Sequence, residues 1–194
     1  MKRAWLLVAA LVFTGCVTPI TWVGVSPGAT LVREHLSVQV DASWNHLEGG
    51  SPEAKHDLWT TDGLPLDQLH FFVGISPGEP LVALKNRPDK QVPRFQKDMQ
   101  AYDIVELYET LSTLDGSTFT RGKLTPMTFA GGNGFRFEFT LVRKGDEVTL
   151  KGVGYATVQK DQLYLMVFEA PRIHYFGKDL PRVEAMAASA KIVG

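Results

Sequence analysis

GFRFEFTLVRKGDEVTLKGVGYATVQKDQLYLMVFEA, residues 134–170, decides the fold of this chain. Its opening alternates: Phe135, Phe137, Phe139 and Leu141 fall on one face and Arg136, Glu138 and Thr140 on the other, the period of a strand with one side buried. Lys144-Gly145-Asp146 closes a hairpin into EVTLKGVGYATV (147–158), and Lys160-Asp161 turns that strand into QLYLMVFEA (162–170). Three strands joined by two short turns predict an antiparallel meander.

Outward from this meander, residues Phe95 to Leu114 place Met99, Tyr102, Val105, Tyr108, Leu111 and Leu114 three to four apart, the stripe of an amphipathic helix stopped by Asp115-Gly116. A second helix is predicted from Leu180 to Lys191, with Pro181 in its first turn and Val183, Met186, Ala187 and Ala190 on one face. RIHYFGKD (172–179) reads as the connecting loop, rich in aromatic and basic groups and suited to a binding rim. Upstream, LSVQVDASW (36–44) alternates as a single half-buried strand with Trp44 on its core face, and NHLEGGSPEAKH (45–56) reads as a polar loop. Shorter strands follow at Leu58 to Thr60 and Gln68 to Ile75, with a turn at Thr61-Asp62-Gly63. The whole predicts one α+β domain: an antiparallel β-sheet with packed helices.

The first sixteen residues, MKRAWLLVAALVFTGC, carry a different message. Lys2 and Arg3 form a positive start, Ala4 to Phe13 an apolar run, and Thr14-Gly15 a small-residue cleavage site before Cys16, the single cysteine. The apolar run is about ten residues, half of the ~20 needed to cross a bilayer. A plain secretory signal with an incidental cysteine is the other alternative. The pattern resembles the leader of bacterial lipoproteins, in which the cysteine is acylated and becomes the first residue of the mature chain. The resemblance implies a signal peptide at 1–15 and a domain at 16–194 anchored through Cys16. Val17 is not the aspartate read as an inner-membrane retention signal, so the implied address is the outer membrane, facing the periplasm. Removal of the leader takes away two positive charges and moves the formal net charge from −1 to −3, unsuited to nucleic acid. With Cys16 acylated no thiol remains for disulfides, metal or nucleophilic catalysis.

Residues 119–194, with glycines in the middle strand of the meander and an amphipathic helix ending near Ser189-Ala190-Lys191-Ile192, look like the C-terminal half of PsbP-like domains. That resemblance implies a PsbP-like α/β sandwich and an accessory or scaffold role. Trp59-Thr60-Thr61-Asp62-Gly63 also resembles a Trp-Thr-x-Asp-Gly stretch found in a group of proteobacterial lipoproteins, a likeness that implies no activity.

Candidate chemistry is sparse. GVSPG (24–28) and GISPG (74–78) match the G-x-S-x-G nucleophile elbow, but Pro27 and Pro77 follow the serines. Proline has no N–H to give an oxyanion. VGVSPGATLV and VGISPGEPLV agree at seven of ten positions while their flanks differ, and read as two similar hairpins with Pro-Gly turns. His35, His46, His56, His70 and His174 show no zinc spacing; His46, Glu48, His56 and Asp57 bracket one loop and form the only metal candidate, a weak one. Asp103, Glu106 and Glu109 read as a solvated helix face, and GGNG (131–134) as a turn feeding a strand. Lys85, Arg87, Lys90, Arg94 and Lys97 form a basic stretch that is the candidate contact for anionic headgroups or a partner. Phe71, Phe72, Phe135, Phe137, Phe139, Tyr164 and Phe168 either fill the core or line an apolar pocket beneath the 95–114 helix.

The expectation is a non-catalytic envelope lipoprotein with no cofactor and no metal. Its partners would be the membrane through the lipid anchor and an envelope protein. The alternative is a binding protein for a small apolar ligand or lipid, which requires that the junction under the helix not be packed solid.

Overall fold

The computed structural model describes residues 21–48, 55–82 and 92–194. The meander is present: β8 (Gly132–Val142), β9 (Thr149–Gln159) and β10 (Gln162–Pro171) pair antiparallel in sequence order. It sits inside a larger sheet. β1 (Thr21–Val25), β4 (Trp44–Glu48), β5 (His56–Thr60), β6 (Gln68–Ile75) and β7 (Thr118–Phe129) complete eight strands in the order β1-β4-β5-β6-β10-β9-β8-β7. A second sheet joins β2 (Gly28–Val32), β3 (Leu36–Val40) and β11 (Lys191–Ile192) in the order β11-β3-β2. Helix α1 (Ala101–Ser112) covers one face of the large sheet; α2 (Tyr175–Ser189) and the small sheet cover the other.

Strand β10 shows why this sheet is central. Tyr164, Met166, Phe168 and Ala170 enter the α2-side core, and Leu163, Leu165 and Val167 the α1-side core. A strand buried on both faces reads as a nearly continuous apolar run, as QLYLMVFEA does. The glycines of β9 serve the same packing. A Cβ on Gly152 would lie 2.0 Å from Phe139 Cζ, and one on Gly154 2.2 Å from Phe137, so these rings lie across bare backbone.

Several expectations are corrected. Residues 36–44 are two strands in different sheets, broken by a bend at 41–43. The alternation runs through the break because Leu36, Val38, Val40 and Trp44 all enter one core, so the pattern cannot register the change of sheet. The expected loop at 45–56 contains most of β4 and the start of β5, each pairing with neighbours despite its polar sequence. GVSPG is no hairpin turn: β1 pairs with β4 and β2 with β3, so Ser26-Pro27 is a corner between sheets. GISPG is a turn, closed by the Glu79 N–H donating to Ser76 O at 3.0 Å, with Gly78 at φ +84 as a type II turn demands.

The first helix begins at Ala101, six residues later than expected, because Phe95 exchanges backbone hydrogen bonds with the Gly78–Glu79 turn (2.7 and 2.8 Å). Its Ncap Gln100 donates N–H to Asp103 Oδ2 at 2.8 Å. Its buried stripe is Ile104, Val105, Leu107 and Tyr108, while Tyr102 is 65% exposed. The second helix starts earlier than predicted and carries Pro181 inside it, forgoing one internal bond. Phe176 stacking on Phe168 (5.8 Å) and Asp179, fully buried with Arg182 at 3.2 Å, hold that first turn in place of the predicted 172–179 loop. Strand β7 was not anticipated, its apolar residues being too scattered to alternate.

Candidate functional site

Strand pairing places four polar side chains on the α1 face of the sheet. His56 lies opposite Phe72, Val167 opposite His70, and Glu169 opposite Gln68, so β5, β6 and β10 present His56, Gln68, His70 and Glu169 side by side. Tyr108, Leu111 and Ser112 of α1 lie above them, with Val82 at the side. Between floor and roof is a cavity of ≈ 210 Å³. It is smaller than the ~300–1,000 Å³ of drug-sized pockets.

The hydrogen bonds suit one assignment of the ring protons. His70 Nε2 is 3.2 Å from Gln68 Oε1, an acceptor, so a neutral His70 carries its proton there and Nδ1 accepts. His56 Nε2 lies 3.0 Å from that Nδ1 and is therefore the donor. The two rings stack on one another with centroids 5.3 Å apart, and on Phe72, which lies 4.8 Å from His56 and 6.1 Å from His70. Burial holds both histidines neutral. His56 falls to about 4, with Asp57 pulling it up and Arg33 down, and His70 to about 3, lowered further by His56. Arg33 Nη2 donates to the His56 carbonyl at 2.7 Å and braces the strand from behind.

Glu169 is the opposite case. It is 7% exposed, and burial raises it to about 7 despite the Tyr108 hydroxyl donating to Oε2 at 3.1 Å and the pull of Arg143; Asp115 adds to the rise. Burial and the adjacent Glu169 push Tyr108 well above its ordinary value. Ser112 Oγ donates to the Tyr108 carbonyl at 2.9 Å. The site offers acceptors, a carboxylate able to change charge near neutrality, and an apolar wall.

Other candidates are placed elsewhere. Cys16, Lys85, Arg87 and Lys90 lie outside the described residues. Arg94 and Lys97 are exposed, and Arg94 donates to the Gly78 carbonyl at 2.7 Å. His46 stands 3.6 Å from Asp57, but His56 belongs to the opposite face, and among the described residues no three His, Cys, Asp or Glu converge as metal ligands. Ser76 has Lys55 at 3.2 Å, held by Glu79 at 2.7 Å, so that ammonium is paired rather than free to act as a base. Arg121 pairs with Glu106 (3.5 Å) and with Glu109 at the surface. The stretch 59–63 has a structural task. Fully buried Asp67 accepts from Thr60 Oγ1 (2.8 Å), Thr61 N (2.6 Å) and Asp62 N (2.8 Å), and Asp62 pairs with Lys178 of α2.

The sequence reading missed Gln68, His70 and Glu169 as site residues and considered His56 only for metal. The signal was a carboxylate within the apolar run of β10 and two polar residues, Gln68 and His70, on one face of an otherwise apolar β6.

No protein-family model matches the chain, and no curated protein matches it significantly. Solved structures resemble it to different degrees. Cyanobacterial PsbP (CyanoP) from Synechocystis sp. PCC 6803 superposes with a TM-score of 0.58 at 11% identity, over 94% of this chain and 99% of that one. A protein from Bacteroides thetaiotaomicron gives 0.51 at 8% identity over 88% of this chain, which matches half (50%) of the other's length. LpqN, involved in cell envelope biogenesis of Mycobacterium tuberculosis, gives 0.35 at 6% identity, over 92% and 88%. The chain thus has a PsbP-like fold, α+β and single-domain, built mostly of antiparallel sheet with two helices. Among the described residues no helix is long and apolar enough to cross a membrane.

Proposed function

We propose that this chain is a membrane-anchored envelope lipoprotein acting as a non-catalytic accessory or interaction module. Cys16, directly behind the leader 1–15, carries the reading. It lies five residues ahead of Thr21, where β1 begins, a reach of at most about 18 Å of extended chain. The acylated domain 16–194 therefore sits close to the bilayer, in the outer membrane facing the periplasm. The stretch Lys85, Arg87, Lys90, Arg94 and Lys97 is the contact for headgroups or an envelope partner. The PsbP-like fold supports an accessory role. Cys16→Ser is expected to move the protein from the membrane to the soluble fraction and to abolish palmitate labelling; an unchanged membrane fraction overturns the reading.

The cavity under α1 favours a second reading, a carrier or sensor for a small ligand. The junction is not packed solid, but its floor is polar and its volume too small for a lipid chain pair. Leu111→Trp, which fills the cavity, is expected to abolish any ligand-induced rise in Tm. An undiminished rise places the ligand elsewhere and overturns this reading.

A further inference from the structure

We propose that the cavity binds a small organic ammonium, its apolar group against Phe72, Val82 and Leu111 and its N–H donors directed at Glu169. The inference rests on the carrier reading and adds the ligand's chemical class. Three observations converge on it.

Among the described residues the lining has no cation. Its two histidines resist protonation, and among the described residues no lysine or arginine reaches the wall. Its side-chain donors are also already committed. The His56 N–H goes to His70, the His70 N–H to Gln68, the Ser112 hydroxyl to the Tyr108 carbonyl, and the Tyr108 hydroxyl to Glu169. Among the described residues lining the cavity, only the Gln68 amide keeps N–H groups outside these bonds. A carboxylate or phosphate would therefore meet acceptors and negative charge. An ammonium meets a carboxylate with one oxygen occupied by Tyr108 and the other available, beside aromatic faces that attract cations. The volume suits a ligand of one ring or a short branched chain.

The charge of Glu169 sets the pH dependence. The groups facing it are Gln68 and His70 from β6, Tyr108 from α1, His56 from β5, Asp115 from the loop after α1, and Arg143 from the β8–β9 hairpin. Of these, the carboxyl itself is the one that titrates near neutrality, at about 7. An ammonium binds its ionised form, so the bound proton leaves as the ligand arrives. Affinity should rise about tenfold between pH 6 and pH 8, with release of about half a proton per ligand at pH 7.

The test is calorimetric titration of the full chain with benzylammonium, benzyl alcohol and benzoate, in buffers of different ionisation enthalpy. Benzylammonium is expected to bind with proton release, at least tenfold more tightly than either of the others. Glu169→Gln should lose that preference and the proton release. Tyr108→Phe removes the donor that lowers Glu169 and should move the pH midpoint upward while retaining binding at high pH. Benzyl alcohol binding as tightly as benzylammonium would overturn the ammonium inference and leave the carrier reading standing. Benzoate binding best would do the same. No binding by any of the three, in a chain shown to be folded by circular dichroism, overturns the inference and the carrier reading together.

Discussion

On the α2 side of the large sheet, Trp44, Trp59, Phe71 and Phe168 are closed off by Val183 and Met186; on the α1 side, Phe72, Phe137 and Phe139 share the surface with His56, Gln68, His70 and Glu169. Both sides also bury carboxylates, and Asp67 and Glu169 are treated differently. Asp67 accepts from two backbone N–H groups and a threonine hydroxyl within 2.8 Å, so its charge is well compensated. Glu169 accepts from one tyrosine at 3.1 Å. A buried polar group with full partners strengthens a fold, and one with too few costs it. The α2 face thus reads as the part that holds the domain together, and the α1 face as the part left free to bind.

The largest expected break between the faces comes from truncation. Trp59→Ala on the α2 side removes a fully packed ring and should cost about 3–5 kcal/mol in urea unfolding. Leu111→Ala, half-buried and bordering the cavity, should cost about 1 kcal/mol, because its side chain is only partly packed against the core. Equal costs would remove the distinction. Next in size is Asp67→Ala, which strands the Thr61 and Asp62 N–H groups and the Thr60 hydroxyl and loosens the turn that meets Lys178. A loss of about 3 kcal/mol is expected from the same measurement.

Acid sharpens the comparison further, because His56 and His70 belong to the α1 face alone. His56 and His70 titrate lower when folded (about 4 and about 3) than when unfolded, so the unfolded chain takes up their protons first and stability falls as pH drops below 6.5. Glu169, raised to about 7, acts oppositely and gains stability as pH falls from 7 towards 4.5. Two protons against one leave a net loss of about 2 kcal/mol between pH 6.5 and 4.5, with allowance for water reaching the cavity. In His56→Gln/His70→Gln the sign should reverse, since Glu169 alone remains. Urea midpoints across that window give the slope; an unchanged slope in the double variant would mean that the acid response arises elsewhere.

The fold was largely legible because strands 68–75, 134–142, 147–158 and 162–170 alternate or run apolar in a way a helix would not. Where the legibility failed, two environments shared one pattern. Leu36, Val38, Val40 and Trp44 enter one core from two sheets, so their alternation cannot mark the bend at 41–43. Phe95 looks like the start of a helix until the distant Gly78–Glu79 turn takes its backbone bonds. The site was less legible because its members come from β5, β6, β10 and α1, and only the register brings His56, His70 and Glu169 together. The local signs were Glu169 within an apolar strand and Gln68 and His70 on one face of β6.

The smallest expected effect bears most directly on the comparison. Glu169→Gln keeps the shape and the oxygen that accepts from Tyr108 but removes the charge. At pH 5 the native carboxyl is already protonated, so variant and parent should unfold at nearly the same urea concentration. At pH 8 the parent must hold a carboxylate in a site that raises it to about 7, against its ordinary value of 4.5, and the variant should be about 1 kcal/mol more stable. Asp67→Asn on the α2 side should show no such gain, since there the donors are arranged for the charged form. A Glu169→Gln chain less stable at pH 8 would mean that its partners do compensate the carboxylate, and the two faces would then be built alike. A more stable chain that has lost the preference for benzylammonium would show a residue whose charge weakens the fold and serves the cavity, the trade expected of a binding site rather than a core.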